Sequence, residues 1–125
     1  MGFQVIWEFN DDEEDVPISR RELAKKIGCH FNTLRQDELL IKQWVNDAAD
    51  YYRSNNPKKL ESVPLDAYLV WLILQVRSLR KKGYSTDAVT KELFIDNPDK
   101  YSKQGFEYYV YQQSFNRQTR STQAA

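Results

Sequence analysis

The sequence predicts a mainly α-helical fold built around a helix-turn-helix, with a short N-terminal strand and a possible C-terminal strand. Three observations carry that prediction. Residues 18–28 hold helix start and stop signals around an apolar stripe at helical spacing. A second helical pattern follows at once and breaks at Ser54-Asn55-Asn56-Pro57. The run Leu65–Lys82 is the most apolar element and contains neither Gly nor Pro.

Taken in order, Phe3-Gln4-Val5-Ile6-Trp7-Glu8-Phe9 is rich in β-formers with partial alternation, and predicts the N-terminal strand. Asn10–Asp15 reads as an exposed acidic loop, without the spacing or the glycine of a calcium loop. Ser19 is placed to cap the first helix, Glu22 to close a capping box, and Ile18 and Leu23 to form a hydrophobic staple. Leu23, Ala24 and Ile27 make one apolar stripe, small at Ala24 where a second helix can cross. Gly28 ends the helix because glycine takes positive φ without strain.

Phe31 to Arg53 reads as one long helix, with Leu34, Ile41, Val45, Ala48 and Tyr52 on a shared face. The helix Leu65–Lys82 carries two nearly opposite stripes. Leu65, Leu69, Leu72, Val76 and Leu79 form one, and Ala67, Val70, Trp71 and Leu74 the other. A helix apolar on two sides is buried on two sides. The second side therefore meets either the chain's own segments or a second copy, with Val70, Trp71 and Leu74 as the expected dimer interface. Gly83 ends this helix and Ser85 caps a short one running to about Phe94. Phe106–Tyr111 reads as a weak strand or a short helix, and 116–125 as a polar, disordered tail. The expected organisation is thus strand and acidic loop at 1–15, a helical DNA-binding unit at 16–94, an extension at 95–115 and the tail.

Glu22-Leu23-Ala24, Gly28, Thr33-Leu34-Arg35 and Glu38 stand in the register I-x-E-L-A-x-x-x-G-V-S-x-x-T-L-R-x-x-E. Downstream, Leu79-Arg80-Lys81-Lys82-Gly83-Tyr84-Ser85 stands at the joint of a further helix pair. In these residues the chain resembles the DNA-binding half of the MerR family of transcription regulators, over roughly residues 18–93. The resemblance implies a MerR-like winged-helix unit that binds duplex DNA as a homodimer on an inverted repeat, most simply as a repressor. The chain departs from the pattern in three places. Asp37 replaces an apolar residue, His30 replaces a Ser or Thr cap, and no wing is visible after Glu38. Few residues follow Phe94, so neither an effector nor a metal carries over.

The expected contacts follow from this reading. The second helix would present His30, Phe31, Asn32, Thr33, Arg35 and Gln36 to base edges, Asn and Gln suiting adenine and Arg guanine. For Arg35 the alternative is a salt bridge with Glu38 or Glu22. Ser19, Arg20, Arg21 and Lys25 are the phosphate candidates of the first helix, with Lys58 and Lys59 as a substitute wing. Arg77, Arg80, Lys81 and Lys82 lie at a helix C-terminus, where cations favour the helix dipole. Tyr108, Tyr109 and Tyr111 are expected in packing rather than in stacking on bases.

Composition sets the remaining bounds. A chain of 125 residues suggests one domain. A single Cys excludes an internal disulfide, and Cys29 with the adjacent His30 does not supply the four ligands of a structural zinc site. Cys29 is expected to be buried as a small hydrophobe. No catalytic constellation is visible, so an enzyme is not expected, nor is a cofactor. Phe3–Phe9 does not read as a secretory signal, and Ala67–Val76 is shorter than the ~20 residues of a bilayer span, so a cytoplasmic location is expected. The formal net charge is zero. Residues 1–15 contribute −6 and residues 16–60 contribute +4, so the reading head is the basic part. Two alternatives keep the same scaffold. One is an excisionase-like DNA-bending protein, the other a protein-interaction module that does not bind DNA.

Overall fold

The structure, a computed structural model, describes residues 18–55 and 63–124, with side chains as far as Phe115. The expected strand Phe3–Phe9, the acidic loop Asn10–Asp15 and Lys58 and Lys59 lie outside the described residues. The described part is mainly helical. Six α-helices follow one another: α1 (Arg20–Ile27), α2 (Phe31–Trp44), α3 (Asn46–Asn55), α4 (Ala67–Lys81), α5 (Thr86–Thr90) and α6 (Lys103–Ala124). A π-helical turn, Lys91–Ile95, continues α5. The only extended pairing among the described residues is an isolated antiparallel bridge between Ile18 and Leu65.

Local chemistry starts and stops these helices. Asp66 caps α4 by accepting from the Leu69 N–H at 2.8 Å, and Ser85 caps α5 by accepting from the Ala88 N–H at 3.2 Å. Gly83, at φ 93°, ends the α4 turn, and the Tyr84 N–H donates back to Leu79 O at 3.1 Å. In the π turn the Asp96 N–H reaches Lys91 O at 2.8 Å.

The long helix expected over Phe31–Arg53 is two helices. Val45 takes an extended conformation, φ −111° and ψ 109°, between α2 and α3. It both ends α2 and starts α3. Its N–H donates to Ile41 O at 2.8 Å and its carbonyl accepts from the Ala49 N–H at 3.0 Å. The break folds α3 back so that Tyr52 reaches Glu38 on α2. The expected C-terminal strand is likewise corrected. Phe106–Tyr111 lies inside α6, which runs on through residues 116–124 where a disordered tail was expected. Phe106 and Tyr109 are three apart, one helical turn, and both pack their rings on Trp71.

The core sits around α4. Leu69, Leu72, Ile73 and Val76 are fully buried, together with Leu23 of α1, Leu34 and Ile41 of α2 and Ala48 of α3. The other side of α4 is covered by the chain itself. Trp71 stacks on Tyr101 with ring centroids 5.5 Å apart, and packs on Phe106 at 5.2 Å and Tyr109 at 5.5 Å. Val70, Trp71 and Leu74, expected as a dimer interface, are therefore buried core residues. The Tyr68 hydroxyl donates to Tyr101 O at 2.6 Å, and Asp47 accepts from the Lys103 N–H at 2.9 Å. These bonds fix the start of α6 against α4 and α3.

Candidate nucleic-acid interface

The α1–α2 corner is organised from its caps inward. Ser19 Oγ accepts from the Glu22 N–H at 3.1 Å and donates to Glu22 Oε1 at 3.0 Å. Ile18 is half-buried against the core. Gly28 stands at φ 74° and ψ 38°, a left-handed turn that an L side chain would strain. The Cys29 N–H then donates to Ala24 O at 3.0 Å, and the chain enters α2 with His30 extended at its N-cap. The His30 side chain makes no cap hydrogen bond and is exposed. Cys29 is half-buried rather than buried, and burial pushes its thiol above the ordinary value.

The candidate base-reading residues lie together on this corner. His30, Asn32 and Gln36 are exposed, and Phe31, Thr33 and Arg35 are half-buried. Phe31 works as a platform for two cations. The Arg21 guanidinium carbon lies 4.7 Å from its ring centroid and that of Arg35 lies 5.9 Å away. Ser19, Arg21, Lys25 and Lys26 are exposed along α1.

Arg20 departs from its expected role. It is only 8% exposed, and its Nε and Nη2 donate to the two Glu38 carboxylate oxygens at 2.6 and 2.9 Å. The Tyr52 hydroxyl donates to Glu38 Oε1 at 2.7 Å. One buried carboxylate thus ties α1, α2 and α3 through a bidentate arginine and a phenol. Burial works against the Arg20 charge, but the Glu38 carboxylate more than restores it and the guanidinium is held above its usual range. Burial, followed by the Glu38 carboxylate, raises the Tyr52 phenol well above its usual range, so it stays a donor. Arg20 is therefore a fold residue, not a phosphate contact. The salt bridge proposed for Glu38 exists, with Arg20 as the partner in place of Arg35.

Asp37 is the second buried acid. It accepts from Arg77 Nη1 at 3.2 Å and Arg80 Nε at 3.1 Å, and Arg80 Nη2 also donates to Thr86 Oγ1 at 3.1 Å. Burial raises the Asp37 carboxyl above its ordinary value, with the two guanidinium groups pulling the other way. The arginines at the end of α4 thus reach across to α2 instead of only lining a helix terminus. Sequence reasoning registered Asp37 as a departure and missed its partners. A polar residue on the inner face of α2 was the available signal, because a buried acid requires a cation.

No family model, curated protein or solved structure matches the chain. No helix among the described residues is long and apolar enough to cross a membrane.

Proposed function

We propose that the chain is a sequence-specific regulator that binds double-stranded DNA, most simply as a repressor. In this reading α1, the Gly28 turn and α2 act as a MerR-like helix-turn-helix. The first helix crosses the phosphates and the start of the second enters the major groove. One observation carries the reading. Both acids of α2, Asp37 and Glu38, are turned inward onto Arg77, Arg80 and Arg20. What is exposed at this corner is Arg21, Lys25, Lys26, Asn32 and Gln36, with Arg35 half-buried beside them and Glu22 as the one acid in α1. A face with donors for purine edges beside cations for phosphates suits a duplex. The uncapped start of α2 adds backbone N–H groups of the kind that phosphates accept. Two copies on an inverted repeat would double the modest charge of one head, with contacts between copies made away from Trp71.

The test begins with the DNA fragments the protein retains from its own genome. On the enriched sequence, Arg35→Ala should weaken binding by ~1–3 kcal/mol, the worth of a bidentate guanine contact. It should leave binding to random duplex nearly unchanged. A wild-type protein that retains no fragment above background at low salt would sink the reading. Leu39, 53% exposed on α2, favours the protein-interaction module as the second reading, and that outcome would leave it standing.

A further inference from the structure

Phe31 is the first residue of α2, at the centre of the α1–α2 corner. It is half-buried, yet the core does not account for it. Among the described residues, the half-buried hydrophobic side chains packed on the core include Ile18 and Cys29 but not Phe31. Its ring carries cations instead. The guanidinium carbon of Arg21 lies over it, 4.7 Å from the centroid, and that of Arg35 lies 5.9 Å away. Arg21 comes from the first turn of α1, and Arg35 stands one turn further along α2. One aromatic ring thus gathers two cations from the two helices of the corner.

The chemistry of that contact leaves both arginines able to bind. The ring quadrupole attracts each cation through the ring face. The contact uses none of a guanidinium's N–H donors, which stay available to a phosphate or a purine edge. Long side chains lose rotamer freedom when they bind, and a side chain ordered in advance loses less of it. In the proposed complex Arg21 meets phosphate and Arg35 meets guanine. A shared ring fixes the spacing between the contact that sets register and the contact that reads sequence.

We propose that Phe31 is a positioning residue for DNA recognition, a role that rests on the DNA-binding reading. It holds Arg21 and Arg35 as a preformed pair, so that both meet the duplex already placed. The ring serves the two arginines rather than touching base edges itself.

The test has one arm without DNA and one with it. In the free native chain, nuclear Overhauser contacts should join the Phe31 ring protons to side-chain protons of both Arg21 and Arg35. This arm needs no variant, so the proposal stays testable if Phe31→Leu does not fold. On the duplex enriched from the genome, Phe31→Leu should weaken binding about fivefold or more, the loss expected when two long side chains must be ordered on binding. Its helicity and melting temperature should stay near those of the native chain. Phe31→Tyr, which keeps the ring, should restore affinity to within about twofold of native. Arg21→Gln and Arg35→Gln should each lose less affinity in the Phe31→Leu background than in the native one. Missing ring contacts to either arginine overturn the proposal even where the chain binds DNA, and so does native affinity in Phe31→Leu. A loss that Phe31→Tyr does not restore, or losses that simply add, overturn it as well. Ring contacts in a native chain that holds no duplex at low salt overturn the DNA-binding reading, and the role of Phe31 falls with it.

Discussion

Glu38 has no exposure to water, and two groups hold it there: the Arg20 guanidinium and the Tyr52 hydroxyl. Taking away the arginine would leave a buried charge with only a phenol. Arg20→Ala should therefore destabilise the fold by about 3–5 kcal/mol, the range for breaking a buried pair from one side. Urea denaturation checks this. If Arg20 were a phosphate contact, the loss would appear in DNA affinity with stability unchanged. Asp37 permits a pH prediction. Its carboxyl is raised in the fold, so the native state keeps a proton that the unfolded chain has already lost. The stability it contributes is fully present below the unfolded value and is lost as pH rises through the folded one. Asp37→Asn removes this titration. The melting temperature of the native chain, relative to that variant, should fall as pH rises from about 4. A relative rise would mean that Arg77 and Arg80 outweigh burial. Neither pairing was legible in the sequence. Arg20 looked like one of a run of exposed bases, and its partner lies eighteen positions away on another helix.

At the scale of elements, the start and stop chemistry of α1 and the end of α4 were legible because they are local. Ser19, Gly28 and Gly83 act within a few residues of themselves, whereas Asp66, which caps α4, falls inside the helix that the apolar run Leu65–Lys82 predicts. The break at Val45 was hidden for a specific reason. Ile41, Val45, Ala48 and Tyr52 are all buried, so the apolar stripe stays in phase across the break and periodicity reads straight through it. The C-terminal helix was obscured by tyrosines and a valine, which favour strands, and packing on Trp71 overrides that preference. Two glycines separate local from tertiary requirements. At Gly28 an added Cβ meets no atom within 4 Å, so Gly28→Ala should lose only about 1–2 kcal/mol for the left-handed backbone. At Gly105 the Cβ would run into the backbone carbonyl oxygens of Lys100 and Asp99, which have no rotamer to yield. Gly105→Ala should cost about 3 kcal/mol or more, at the upper end for overpacking. It should also weaken the near-ultraviolet signal of the Trp71 cluster, which Gly28→Ala leaves intact. Parallel thermal melts and circular dichroism of the two variants decide between these outcomes.

For the molecule as a whole, the two-sided apolar character of α4 was plain in the sequence, but the identity of the second covering element was not. The chain's own α6 takes that place, so polar changes at Trp71 and Leu74 should unfold the protein rather than release a folded monomer. The same distinction between inside and outside sets how the whole chain meets a polyanion. Arg20 is buried on Glu38, and Arg77 and Arg80 are bound to Asp37, whereas Arg21, Lys25 and Lys26 are exposed along α1 and are the proposed phosphate contacts of the described head. Each true phosphate contact contributes about −0.9 to the slope of log affinity against log salt. One head should therefore give a slope of roughly −3, and two heads on an inverted repeat roughly −5. Fluorescence anisotropy of a labelled duplex over a salt series measures the slope, and sedimentation of the same complex counts the copies bound. A slope near −5 with two copies supports the dimeric reading, whereas one near −3 with a single copy restricts it to a monomeric binder. A slope near zero would contradict both, because a protein that holds a duplex without displacing its counterions is not reading it through this corner.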